Sequence, residues 1–158
     1  KAPSKTIESV NANVRRLADD MLDTMYDAPG IGLAAVQIGA PMRMVVIDLA
    51  KDPDARAPQV YINPEVIWSS DERSTYEEGC LSIPDQYADI ERPAEVKVRW
   101  IDLSGDTLEE HFTGLWSTCV QHEIDHLDGK LFIDYLTPLK RQLITRKMEK
   151  LKRERARA

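Results

Sequence analysis

The stretch EVKVRWIDLSGDTLEEHF, residues 95–112, decides between the folds open to this chain. It places Val96, Val98 and Trp100 on one face, at the period-two spacing of a half-buried strand. The Ser-Gly-Asp sequence at 104–106 has the composition of a tight turn, so we expect a hairpin that continues into a second short strand. Strands that follow one another this directly favour an antiparallel α+β domain over a parallel one built from alternating strands and helices.

The flanking segments fit the same pattern. Apolar residues recur at helical spacing over 10–26, which predicts an amphipathic N-terminal helix. Further strands are predicted at 42–50 and 59–68, and helices at 114–128 and from Thr137-Pro138 onward. We therefore expect one domain over residues 1–158, in which antiparallel strands pack around a central helix between an N-terminal and a C-terminal helix.

Composition narrows the class of protein. The chain has 158 residues, and no run approaches the ~18 apolar residues of a membrane span, so we expect no membrane association. Its two cysteines are too few for a disulfide scaffold, which favours a reducing, cytoplasmic setting. Because the sequence starts at Lys1 without a methionine, we expect the native start to be missing, and an organellar location stays open.

The net charge of −6 is distributed unevenly. Residues 140–158 carry nine cationic and two acidic side chains, a local charge of +7, so the remainder carries −13. Such a segment is either a solvated helix face or a binding surface for a polyanion, and we favour the second interpretation.

The glycine-rich stretch at 30–35 has the Gly-x-Gly-x-x-Ala spacing of a dinucleotide-binding loop. That motif must follow a strand and open a helix. Here the glycines follow the first helix and precede a strand. The context argues against nucleotide binding.

The stretch QHEIDH, residues 121–126, contains His122-Glu123-x-x-His126. On a helix, positions i and i+4 lie about 40° apart around the axis, so two imidazoles can reach one metal ion. Glu123 is offset by about 100°, beside the metal, where it can accept a proton from water. Ordinary surface histidines are the alternative, but two of the three histidines of the chain lie in this motif.

A catalytic metal needs at least one further protein ligand. Cys80 lies in a glycine-containing turn between polar residues and is a candidate, with a partly buried free thiol as the alternative. Cys119 lies inside the helix one turn before His122, and we interpret it as part of an apolar wall. His111 is interpreted as a surface residue.

Three stretches together resemble the signature motifs of peptide deformylases, in the family's order: GIGLAAVQ (30–37), EGCLS (78–82) and QHEIDH (121–126). The resemblance extends over nearly the whole chain. It implies an enzyme that removes the N-formyl group from the initiator methionine of nascent polypeptides and releases formate. It also implies one divalent metal ion, Fe²⁺ in cells, with Zn²⁺ or Ni²⁺ possible in a purified sample.

The resemblance assigns roles to individual residues. The metal ligands would be Cys80, His122 and His126, and Glu123 would be the general acid and base. The side chain of Gln37 and the backbone N–H of Leu81 would donate hydrogen bonds to the developing oxyanion. The remaining matches would bind the N-formylmethionyl peptide: Ile31, Gly32, Tyr76, Gly79, Leu115, Thr118 and Cys119.

Supporting roles are implied for three charged residues. The family pattern pairs Asp125 with Arg92, and Glu78 would support the site through hydrogen bonds. One departure concerns Tyr87, where many bacterial members carry an arginine, so contacts at the rim of the site differ.

The resemblance also implies that the basic helix at about 138–158 docks on the ribosome. We expect the protein to be a monomer.

Two alternative functions remain open. A zinc endopeptidase shares the histidine motif, but a thiolate ligand argues against it. A structural metal domain that binds RNA would need a fourth protein ligand.

Overall fold

The computed structural model describes residues 3–28, 30–50, 52–80, 83–130, 135 and 138–157, without the side chains of 80, 83–86, 140, 141 and 154–157. The helices are α1 (Ala12–Asp27), α2 (Gly114–Leu127) and α3 (Pro138–Arg157). The strands are β1 (Gly32–Ala34), β2 (Met44–Ile47), β3 (Gln59–Ser69), β4 (Arg73–Cys80), β5 (Ile83–Pro93), β6 (Val96–Ile101) and β7 (Thr107–Phe112). Antiparallel strands with three helices confirm the predicted α+β class.

Five strands form one antiparallel sheet in the order β1-β2-β3-β6-β7. The predicted hairpin is its β6–β7 edge, where Val96 pairs with Phe112 and Ile101 with Thr107. Val96, Val98 and Trp100 are buried while the residues between them are exposed, as their alternation predicted. At the opposite edge lies β1, so a further strand could add beside it.

Helices cover both faces of the sheet at its β1–β2 end. Val45 and Ile47 of β2 pack into one apolar cluster with α2, whereas Met44 and Val46 pack into a second cluster with α1. All four residues of β2 are therefore fully buried, which explains why this strand is an unbroken apolar run. The helix that carries the histidine motif lies against the centre of the fold.

Capping residues mark the ends of the helices. Asn11 caps α1 by accepting a hydrogen bond from the backbone N–H of Val14 at 3.0 Å. Gly129 follows α2 with φ of 80°, a conformation that favours glycine. α3 begins at Pro138 as predicted, and Thr137, its predicted cap, lies outside the described residues. Among the described residues, no helix is long and apolar enough to cross a membrane.

The hairpin of β4 and β5 was not predicted, and it forms a separate two-stranded sheet. Its sequence is rich in charged residues, which are depleted in strands, and contains Pro84 and Pro93. Two antiparallel strands alone are only marginally stable in water, so this hairpin must be held by other contacts. Those contacts reach α2 and form part of the site described next.

Candidate metal centre and substrate cleft

Helix α2 brings the two motif histidines together in a buried position. The Nε2 atoms of His122 and His126 are 3.1 Å apart, and both side chains are buried. Two imidazole nitrogens bound to one tetrahedral metal ion lie about 3.3 Å apart, given metal–nitrogen bonds of ~2.0–2.1 Å. The spacing that the helix imposes therefore matches a shared metal ion.

Glu78 of β4 fixes the orientation of His122. Its Oε1 atom lies 2.8 Å from His122 Nδ1, and its two oxygens accept hydrogen bonds from Arg92 Nε at 2.8 Å and Nη2 at 2.9 Å. Burial alone would raise the pKa of Glu78, but the hydrogen bonds from His122 and Arg92 hold it below its ordinary value. An ionised carboxylate only accepts hydrogen bonds, so Nδ1 carries a proton and Nε2 is the atom of His122 that would bind a metal ion.

Arg92 joins this carboxylate to a second one. Its Nη1 donates to Asp125 Oδ2 at 2.7 Å, and Tyr135 donates to the same oxygen at 2.6 Å. Burial would lower the pKa of Arg92, yet Glu78 and Asp125 together raise it above its ordinary value. The family resemblance placed Arg92, Asp125 and Glu78 near the site. It gave no signal for Tyr135, whose ring also lies 4.7 Å from the Arg92 guanidinium carbon.

Glu123 lies beside the two histidines, and among the described residues its Oε1 atom has no hydrogen-bond partner. Among the described side chains, His122, Glu123 and His126 form a group whose potential ligand atoms all lie within 4.8 Å of one another. Burial raises the pKa of Glu123 to about 7 and lowers the pKa of His126 to about 3. The low pKa keeps the imidazole of His126 neutral. Imidazole nitrogens beside a carboxylate oxygen are donors that suit a divalent cation, so the residues present fit a metal ion.

Gly32 makes room for Glu123. A Cβ atom on Gly32 would lie 2.6 Å from Glu123 Oε2. The family resemblance implies that this glycine contacts the substrate peptide. The structure adds a second reason, because any side chain here would displace the carboxylate.

Gln37 lies at the end of the glycine-rich stretch, in a 3₁₀ turn over Ala35–Ile38 that follows β1. Its Oε1 atom accepts a hydrogen bond from the backbone N–H of Ala34 at 2.8 Å. Because only the oxygen of a carboxamide accepts hydrogen bonds, this bond identifies the atom that faces Ala34 as Oε1. The NH₂ group of Gln37 is therefore the opposite, donor end of the side chain.

Cys80 is the last residue of β4 and pairs with Ile83 across the end of the hairpin. The turn predicted around Cys80 is therefore part of the β4–β5 hairpin, which the sequence did not predict. The sulfur of Cys80 and the whole of Leu81 lie outside the described part of the chain. Tyr76 and Gly79, on the same strand, are both half-buried.

The predicted apolar wall divides into exposed and buried parts. Thr118 and Cys119 are buried, whereas Ile31 and Leu115 are 46% and 43% exposed and line a common cavity. Cys119 also belongs to the core cluster of Val120, because it lies only about 60° around the helix from Trp116 on the core face. Burial raises the pKa of its thiol to about 12, so it stays protonated.

Comparison with known proteins agrees with this geometry. A profile of the polypeptide deformylase family matches residues 1–142. The chain belongs to this family. The peptide deformylase of Mesorhizobium japonicum is 59% identical over 153 residues, which are 97% of this chain and 87% of that protein. That of Brucella suis is 56% identical over 153 residues, with the same coverage.

Solved deformylase structures share the fold. A peptide deformylase from Legionella pneumophila superposes with a TM-score of 0.89 at 44% identity, covering 98% of this chain and 90% of that one. The Ehrlichia chaffeensis deformylase in complex with actinonin gives 0.88 at 36% identity, covering 97% and 90%. Polypeptide deformylases remove the N-formyl group from nascent chains in a metal-dependent reaction. The chain is therefore a metal-dependent hydrolase that acts on formyl-methionine peptides.

Substitution of Gly32 by alanine should lower deformylase activity while leaving the fold intact. The added Cβ would displace the Glu123 carboxylate, and a misplacement of ~1 Å can cost about 100-fold in rate. Formate release from a short formyl-Met peptide measures the effect. The control is Gly105→Ala, in a surface turn with nothing within 4 Å, which should keep wild-type kcat/KM despite its strained φ of 85°. Equal activity in the two variants would contradict the steric argument.

Substitution of Glu78 by glutamine should weaken metal binding. The carboxylate that orients His122 would be lost, and loss of such a partner typically lowers metal affinity by about 10–100-fold. Competition between the apoprotein and a chromophoric chelator for Zn²⁺ gives the dissociation constant. Glu91→Gln, at an exposed position of β5, is the matched control. Wild-type zinc affinity in Glu78→Gln would show that the contact does not support the metal ligand.

Proposed function

We propose that this chain performs deformylation with Cys80, His122 and His126 as metal ligands, Glu123 as general acid and base, and Gln37 and Leu81 as oxyanion donors. The observation that carries the proposal is the pair of imidazole nitrogens 3.1 Å apart, with an unpartnered Glu123 oxygen beside them. The position of Cys80 at the tip of the β4–β5 hairpin, whose Glu78 contacts His122, supports it as the third ligand.

When bound, the metal supplies a Lewis acid that makes water acidic enough to react near neutral pH. Glu123 takes the proton of the attacking water and returns it to the amine that leaves. The Gln37 NH₂ group and the Leu81 N–H stabilise the oxygen of the formyl group as it becomes negative. The products are formate and a free amino terminus.

The substrate peptide binds along the open edge of β1 as an added strand. Among the described strands, β1 lies at the edge of its sheet, so its outer side is placed to pair with an added strand. Gly32 and Gly79 allow close approach of the peptide backbone from two sides. The methionine side chain would pack against the wall of the cleft, which is formed by Ile31, Tyr76, Leu115, Thr118 and Cys119.

A thiolate with two imidazoles suits a borderline metal ion. We propose Fe²⁺ as the metal in cells, with Zn²⁺ or Ni²⁺ able to replace it in a purified sample. We further propose a monomer in the bacterial cytoplasm, where formylated nascent chains are made.

Substitution of Glu123 by glutamine should lower formate release by about 10²–10⁴-fold and leave the metal content unchanged. The variant keeps the size of the side chain and removes only its ability to take a proton. Anaerobic assays with Fe²⁺-loaded protein and a formyl-Met peptide, together with metal analysis, test both statements. Glu110→Gln, at an exposed position of β7, is the control.

Two results would contradict this assignment. Loss of the metal in Glu123→Gln would make Glu123 a ligand, which its distance from the other donor atoms permits. Cleavage of internal peptide bonds by the wild-type protein would instead favour a zinc endopeptidase.

The basic helix α3 is proposed to dock on ribosomal RNA. Its cations Arg146, Lys147, Lys150, Lys152 and Arg153 are exposed, as phosphate contacts require. The family profile ends at residue 142, so it covers little of this segment. The helix also buries Ile144, which anchors it to the rest of the fold.

Replacement of Lys147, Lys150, Lys152 and Arg153 by glutamine should weaken ribosome binding but leave the deformylation of a short peptide unchanged. Each lost phosphate contact should lower the slope of log affinity against log salt by about one. Co-sedimentation with ribosomes over a salt series measures both effects. Replacement of four exposed arginines elsewhere (Arg15, Arg16, Arg73 and Arg99) is the control for net charge. Identical salt slopes in the two variants would overturn the proposal.

A further inference from the structure

A surface cavity of about 350 Å³ extends from the proposed substrate cleft towards the loop that follows β2. Gly30, Ile31 and Leu115 line it on the cleft side. Tyr26 and Arg56 line it on the loop side, together with other residues of 48–56. A peptide that runs along the edge of β1 past Ile31 and Gly30 would therefore enter a space with a cation in its wall.

The loop that carries Arg56 is fixed to the cleft. Asp48 is buried, and its oxygens accept hydrogen bonds from Tyr26 Oη at 2.6 Å, Ala50 N at 2.9 Å and Ala57 N at 3.1 Å. Its own backbone N–H donates to Ile31 O at 2.9 Å. One buried carboxylate thus holds both ends of the loop, and a backbone bond joins the loop to the cleft residue Ile31.

The side chain of Arg56 forms no salt bridge with a described residue, although its charge interacts with the buried Asp48 carboxylate. Its guanidinium carbon lies 4.0 Å from the centroid of the Tyr26 ring, a cation–π contact. Among the described residues, no carboxylate forms an ion pair with Arg56, and both oxygens of nearby Asp48 already accept hydrogen bonds. A guanidinium that rests on an aromatic ring keeps its N–H donors at its edge, where they suit a carboxylate.

We propose that Arg56 is a specificity-determining residue that binds an acidic side chain of the formyl peptide downstream of its methionine. The proposal rests on the function proposed above, in which the peptide lies along residues 30–32. Formyl peptides with aspartate or glutamate after the methionine are therefore preferred substrates. Arg56 is exposed, so its effect has the size of a surface ion pair, about two- to five-fold in kcat/KM, and falls with salt.

The test compares C-terminally amidated formyl-Met tetrapeptides that carry aspartate, asparagine or lysine at the second, third or fourth position. Amidation removes the terminal carboxylate, so an effect of the free terminus is separated from one of the side chain. The wild-type protein should prefer aspartate over asparagine by about two- to five-fold at one of these positions. Arg56→Gln should abolish the preference, and Arg56→Glu should reverse it in favour of lysine.

Arg99→Gln is the matched control, because Arg99 is an exposed arginine that pairs with Glu109 on the outer strands β6 and β7. It should keep the wild-type ratio. Binding of the deformylated product peptides, measured by fluorescence anisotropy, should show the same order of affinities without relying on turnover. Circular dichroism and melting temperatures verify that the variants are folded.

Three results would overturn the inference. Equal kcat/KM for the aspartate and asparagine peptides at all positions would show that Arg56 contacts no acidic side chain, although deformylation itself stands. A preference that survives in Arg56→Glu would assign it to another residue. Absence of formate release from every peptide, with metal bound, would overturn the proposed function and this inference together.

Discussion

The buried contact between Glu78 and Arg92 is the interaction on which the site depends. Glu78 belongs to a two-stranded hairpin that is no part of the main sheet, and its carboxylate joins that hairpin to α2 through His122. Removal of one partner from such a buried pair typically costs about 3–5 kcal/mol, whereas replacement of both by apolar residues is often neutral. The pair is thus poorly explained by stability alone. Its geometry, with two hydrogen bonds to Arg92 and one to the histidine, explains the pair as a support that orients His122, a proposed metal ligand.

The histidine pair shows why a cation belongs at this position. Glu78 holds a proton on Nδ1 of His122, so the Nε2 atom is the one that faces His126 Nε2 at 3.1 Å. Two lone pairs at that distance would repel each other, and a metal ion bound by both would remove the repulsion. The same ion would compensate the buried Glu123 carboxyl group, whose Oε1 has no hydrogen-bond partner among the described residues. One ion would therefore satisfy both the histidine pair and the glutamate.

Periodicity and turn composition predicted those parts of the structure that are determined by residues close together in the sequence. The helical spacing of His122 and His126 and the β6–β7 hairpin follow from periodicity and turn composition, so both were predicted. The β4–β5 hairpin was missed because its charged sequence is stabilised by contacts with α2 that lie far away in the chain. Tyr135 and the steric role of Gly32 were missed for the same reason, because each depends on a contact with a residue of another element. Family resemblance, not spacing, joined Cys80 and Gln37 to the histidines.

Gly32 lies between the Glu123 carboxylate and the edge of β1 along which the substrate peptide is proposed to bind. Towards the interior, its missing side chain leaves space for the Glu123 carboxylate, and towards the exterior it belongs to the open edge of the sheet. In the proposed binding mode, a peptide added to this edge would be placed by backbone hydrogen bonds, which are independent of sequence, next to Glu123, the proposed proton-transfer group. An enzyme that acts on many different nascent chains needs this kind of recognition. In this mode selectivity would come from the start of the peptide, where the formyl group and the methionine side chain lie, and residues further along would contribute only small preferences.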